Sequence, residues 1–190
     1  MKVSSGSVWL ALTAASALAS LTAQAAVELK WSEGFQLPGI KGGVAHPGVA
    51  RPFAGEHGGM VLLAGGANFS GQPLAEGGKK RYQAAVYASP VGTNAWQRAG
   101  ELPQPMAEGV SVSTPRGIVC VGGCVGELGE TVSAQAFLLT WDAAARKPKV
   151  APLPDFPYPV KMAAAAARGS CVYVVGGWRP EPAATDVWML

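Results

Sequence analysis

Charge is what this chain has least of. Its 15 lysines and arginines and 12 acidic residues are spread over 190 positions, for a formal net charge of +3. No basic stripe gathers them, so there is no electrostatic case for nucleic acid. Histidine occurs only at His46 and His57, and cysteine only at Cys120, Cys124 and Cys171. The Cys120/Cys124 pair has no histidine nearby, which makes it a poor zinc signature, and no metal site is expected. Three cysteines leave one thiol over in an exported chain. Burial of all three as small hydrophobes and a single disulfide both stay open. No apolar run reaches the roughly 20 residues of a membrane span. Val8 to Leu21 comes nearest, and Thr13, Ser16 and Ser20 interrupt it.

That stretch has a different reading. It follows the positive Lys2 and precedes Thr22-Ala-Gln-Ala-Ala26, whose small residues suit cleavage after Ala25. Residues 1–25 therefore read as a secretory signal peptide, which implies a periplasmic or secreted protein with no membrane span after cleavage. Glycine (25) and proline (15) are abundant. With so few charges, that mixture suits short strands joined by many turns.

The strongest organising signal is an internal repeat. An apolar strand ends in a glycine pair three times: Met60 to Gly65-Gly66, Ile118 to Gly122-Gly123 and Cys171 to Gly176-Gly177. The first glycines are 57 and 54 residues apart, close to the roughly 50-residue period of Kelch blades, each a four-stranded sheet. Leu37-Pro38, Leu102-Pro103 and Leu153-Pro154 precede the three pairs in phase. Each is followed by a strand of small residues, at Gly43–Ala45, Gly109–Ser113 and Met162–Ala167. Small residues suit the crowded innermost strand of a blade, and glycine pairs allow positive φ at the end of the second. The expectation is an all-β fold of Kelch-like propeller blades, roughly 31–95, 96–147 and 148–190, within a domain spanning 26–190. Propellers have about four to eight blades. Three leave the ring incomplete, so further blades are expected from a longer chain or a partner chain.

Two motifs carry a family resemblance. Ala64-Gly-Gly-Ala-Asn-Phe69, followed by Pro73, Gly77-Gly-Lys-Lys80 and Tyr82, resembles the first blade of the cyclically permuted mutarotase family. These are relatives of the bacterial N-acetylneuraminate epimerases. Trp96, Gly100-Glu-Leu-Pro103 and Glu108-Gly-Val-Ser111 are similar to its next blade, and Pro154-Asp-Phe-Pro157 to its third. The resemblance implies a six-bladed propeller that interconverts the α and β anomers of sialic acid, without a cofactor. It also implies a catalytic glutamate and arginine in a Gly-Glu-x-Lys/Arg-Pro-Gly-x-Arg motif in a late blade. The nearest local match, Gly176-Gly-Trp-Arg-Pro180, has Gly177 where the glutamate is needed. Catalytic residues are therefore not assigned, and the chain alone is expected to be inactive.

The candidate contacts to an acidic sugar are Asn68, Lys79, Lys80, Glu108 and Arg179. Lys79 and Lys80 offer charge to a sugar carboxylate, or form an ordinary solvated loop. Asn68 can reach a ligand hydroxyl or satisfy its own turn. Glu108, at the entry of a small-residue strand, can contact sugar or pair with a loop lysine. Tyr82 reads as packing with its hydroxyl satisfied. The alternative to an enzyme is a non-catalytic carbohydrate-binding or protein-interaction Kelch module, since fold alone does not decide between them.

Overall fold

The computed structural model describes residues 28–31, 36–39, 43–69, 71–129, 131–180 and 187–190. The signal peptide expected over 1–25 lies outside them. Residues 1–33 and 34–190 form separate compact units; within the first, Trp31 is 92% exposed rather than packed.

Among the described residues of the second unit every regular element but one short 3-10 turn is a strand. The first sheet begins with β1 (Phe53–His57) and β2 (Met60–Ala64). A hairpin of β3 (Ala67–Phe69) and β4 (Lys80–Tyr82) interrupts it before β5 (Ala85–Pro90) and β6 (Gln97–Glu101) complete it. Then β7 (Met106–Ala107) leads to β8 (Val110–Thr114) and β9 (Gly117–Val121). β10 (Cys124–Val125) and β11 (Thr131–Val132) form the next loop ladder, before β12 (Ala136–Asp142) and β13 (Lys147–Leu153). β14 (Ala164–Arg168), β15 (Cys171–Val175) and β16 (Val187–Met189) follow. Two antiparallel sheets have the order β1-β2-β5-β6 and β8-β9-β12-β13; the third is β14-β15-β16. The strands run in chain order from one edge of each sheet to the other, which is the blade pattern the repeat implied.

Two details differ from expectation. The first innermost strand is Phe53–His57, not residues 43–45. It pairs residue for residue with β2 through the tight turn at Gly58-Gly59, whose φ values are 61° and 74°. Phe53 and His57 hide it, because they break the small-residue pattern of the other two. In addition, β6 pairs with β5, and β13 with β12. Each full sheet thus closes at a Leu-Pro pair, after 101 and 153, rather than at 95 and 147.

Sheet stacking explains the apolar runs. Successive side chains on a strand point to opposite faces. Ile118 and Cys120 of β9 face the first sheet, packing with Phe53, Leu62, Val86 and Phe137. Val119 and Val121 face the third, packing with Val160, Val172 and Val174. Both faces of the middle sheet are covered, so all five residues of β9 are buried. In β15 only Val172 and Val174 are buried. The cysteines are free, with Cys120 and Cys124 buried and Cys171 half-buried.

The open edge of β1 is managed by its neighbour. Ser113 Oγ accepts from the Glu56 N–H at 2.8 Å. Ser111 Oγ accepts from the Ala54 N–H and donates to the Ala54 carbonyl, both at 2.8 Å. These hydroxyls satisfy main-chain groups that an innermost strand otherwise leaves unpaired. In the third repeat Ala165 and Ala167 stand where these serines do. Ser113→Ala is expected to destabilise by about 1 kcal/mol, since water can reach part of the edge. A urea titration of the two proteins checks this; an equal midpoint would remove the edge-capping role.

Candidate functional site

Antiparallel order puts two kinds of connection at opposite ends of the sheets. One end has shorter connections, the hairpin turns between residue pairs 57/60, 114/117 and 168/171 and the links 91–96 and 143–146. At the other end the innermost strands begin and the second strands finish, and the long connections 65–84, 102–109, 122–135 and 154–163 gather there. Long loops held by rigid sheets are where binding chemistry collects. On this face sits a cluster of five side chains.

Its centre is Glu108, which is only 4% exposed. A buried carboxylate requires partners, and it has four. Lys80, delivered by β4, donates to Oε1. Lys161, on the loop entering β14, places its Nζ 3.5 Å from Oε2. The Tyr82 hydroxyl accepts from Lys80 Nζ at 3.2 Å and helps hold the same carboxylate ionised. Cys124 Sγ lies 3.7 Å from Oε2. Burial pushes the Glu108 carboxyl up, but the Lys80 hydrogen bond and charge, the Tyr82 hydroxyl and the Lys161 charge outweigh it. Glu108 is therefore held below the usual carboxylate value and stays ionised. Burial, with the nearby Cys124 and Glu108, raises Tyr82 in turn, so its hydroxyl remains a donor.

The backbone at this point is specialised. Glu108 has φ 67°, an uncommon left-handed conformation for a residue with a Cβ. Arg51 (φ 53°) and Met162 (φ 57°) adopt it at the matching positions of the adjoining repeats. The Glu108 N–H donates to the Arg51 carbonyl at 3.1 Å, and the Met162 N–H to the Glu108 carbonyl at 2.7 Å. A second series runs beside it: Gly66 N–H to Met106 and Gly123 N–H to Val160, each 2.8 Å. Main-chain bonds thus tie each blade entry to its neighbour.

Of the five residues expected to meet a ligand, the structure brings Lys80 and Glu108 together. For Glu108 the pairing with loop lysines is what it realises. Lys79 is exposed on the approach to β4. Asn68 is used internally: its Nδ2 donates to the Gly48 carbonyl at 3.1 Å and its Oδ1 accepts from Gln83 at 3.0 Å. It fastens the 46–50 segment, which His46 also anchors through Tyr87 at 2.9 Å. The half-buried Arg179 lies over the Tyr158 ring, 4.6 Å from its centroid. Sequence reasoning missed Lys161, which no motif flags. The repeat phase carries the signal, because Lys161 stands where the second repeat has Ala107. Trp178 is half exposed, with Lys161 Nζ 4.8 Å above its ring. Among the described residues no group of histidine, cysteine and acidic side chains fits a metal ion.

Four-stranded antiparallel sheets repeating every 54–57 residues, each second strand closed by Gly-Gly, define a Kelch-type β-propeller protein. The particular family follows from comparison with known proteins. The N-acetylneuraminate epimerase family model matches residues 2–147, and the chain belongs to that family. The N-acetylneuraminate epimerase of Yersinia enterocolitica is 41% identical over 105 residues, 50% of this chain and 26% of that protein. That of Vibrio vulnificus is 37% identical over 102 residues, covering 49% and 26%. That of Brucella melitensis is 36% identical over 124 residues, covering 60% and 31%. The chain thus matches about a quarter to a third of the length of these relatives. A solved structure described as "Structure of YjhT" overlays with TM-score 0.48 and 28% identity, over 60% of this chain and 33% of that one.

Proposed function

We propose that this chain forms the N-terminal, substrate-gathering part of an enzyme that interconverts the α and β anomers of N-acetylneuraminate in the periplasm. The observation that carries the reading is the family match over residues 2–147. The reaction removes the proton of the anomeric hydroxyl and delivers one to the ring oxygen as the ring opens, with the reverse on closure. A group that shuttles this proton works best with a pKa near the operating pH. Glu108 does not meet that need, because two lysines and a tyrosine hold it as a carboxylate. Its role is to position cations for an anionic sugar. The proton-moving glutamate and its arginine belong to the motif that the family resemblance places in a later blade. Taken alone, the chain acts as a carbohydrate-binding module, and that same ionised Glu108 favours this second reading for the isolated piece.

The test is exchange between the two anomers followed by proton NMR. This chain by itself is expected to leave the exchange rate unchanged while its long-loop resonances shift on titration with the sugar. A chimera in which it replaces the matching segment of the Yersinia enterocolitica relative is expected to accelerate exchange. A folded chimera with no acceleration, or an isolated chain whose resonances ignore the sugar, would sink the proposal.

A further inference from the structure

The three repeats share one backbone bridge at the long-loop face, just before the innermost strand. It joins Ala50 to Ala67, Ala107 to Cys124, and Lys161 to Trp178. The residues fall 57 and 54 positions apart, in phase with the glycine pairs. In the first two repeats the bridge residues are small, and Ala67, Ala107 and Cys124 are buried under the loops. The third repeat breaks the rule twice at one spot, with a lysine and a tryptophan. Neither is a buried small residue like its counterpart in the second repeat: Trp178 is 50% exposed and the Lys161 side chain 22%. The two touch each other, with Nζ 4.8 Å above the ring, and the lysine turns toward Glu108.

The charge left over points to a ligand. Glu108 offers one negative charge to two ammonium groups, Lys80 on Oε1 and Lys161 on Oε2. The other ion pair on these loops, Arg81 with Glu127 at 3.9 Å, is balanced within itself. Among the described residues one positive charge is therefore uncompensated, shared by two cations that a single carboxylate holds side by side. Each ammonium has three donors, and Lys80 uses two of them, on Glu108 and Tyr82. We infer that Lys161 and Lys80 together bind the carboxylate of an acidic sugar, with the exposed ring of Trp178 as the apolar wall beside it. The inference rests on the reading of an acidic-sugar substrate, and Lys161 lies beyond the residues matched by the family model.

The experiment is calorimetric titration of the whole chain at low salt with N-acetylneuraminate and with a neutral N-acetylhexosamine. Lys161→Gln is expected to weaken the acidic sugar about tenfold, the scale of a lost charge-assisted hydrogen bond, and to leave the neutral sugar unchanged. Lys161→Arg keeps the charge and should restore most of the affinity. A purely structural role would move both sugars alike. Should the glutamine variant not fold, Lys161→Met, whose stem preserves packing on Trp178, gives the same comparison. Unchanged affinity for the acidic sugar in a folded variant overturns the inference and leaves the proposed function standing. If the unmutated chain binds the acidic sugar no better than the neutral one, inference and substrate reading fall together.

Discussion

Gly122→Ala is expected to cost about 4 kcal/mol of folding stability, a large share of the roughly 5–15 kcal/mol typical of a domain. Gly122 has φ 66°, and a Cβ at this position would fall on the carbonyl oxygen of Val160, with the Val160 side chain close behind. That carbonyl accepts the Gly123 N–H at 2.8 Å, the bond between second and third blades. An alanine must push the loop away and break the bond, besides costing about 1–2 kcal/mol for its left-handed backbone. Gly59→Ala separates the two effects. Gly59 has φ 74°, but nothing lies within 4 Å of the place its Cβ would take. Only the backbone cost applies there, about 1 kcal/mol. Equilibrium urea unfolding of both variants makes the comparison. Equal losses would show that the close approach of blades at Gly122 matters little.

Lys80→Met is expected to destabilise by about 2–3 kcal/mol near neutral pH. Removing one partner of an enclosed ion pair typically costs about 3–5 kcal/mol, and the figure is lowered because the Lys80 side chain is 40% exposed and partly screened. The loss should shrink as pH falls. In the unaltered protein the Glu108 pKa is depressed below its ordinary 4.5. Its contribution is then complete above that value and disappears as pH drops through the folded pKa. Without Lys80, the largest influence lowering that pKa is gone while burial still raises it. The variant's carboxyl therefore takes up a proton more readily, and acid relieves the unpaired charge. Unfolding at pH 7 and pH 3 tests the sign: a gap between the proteins that widens in acid would contradict the ion pair as the source.

The repeat was legible because its landmarks obey local rules. Glycine pairs mark positive φ, and all six of those glycines have it. Leu-Pro recurs in phase with them, and β9, an uninterrupted apolar run, is buried along its whole length. The first innermost strand was not legible, since Phe53 serves the core while its small-residue neighbour Gly55 lies against Ser113 of the next sheet. A sequence shows one strand's composition, not the partner that makes smallness necessary. The site was half legible for the same reason. Lys80 and Glu108 stand out as charges in a chain with few of them, but their meeting depends on two loops 28 residues apart. Lys161 reaches that pair only because the third blade packs beside the second.

Main-chain N–H and carbonyl groups tie the left-handed residues at 51, 108 and 162 to one another. Nothing in that tie reads the identity of the side chain. An arginine, a glutamate and a methionine occupy equivalent sockets without disturbing the registry of the blades. The scaffold is thereby decoupled from the chemistry it presents. Exchange of a residue at one of these three positions can redraw the charge at the mouth while the main-chain tie between blades stays as it was.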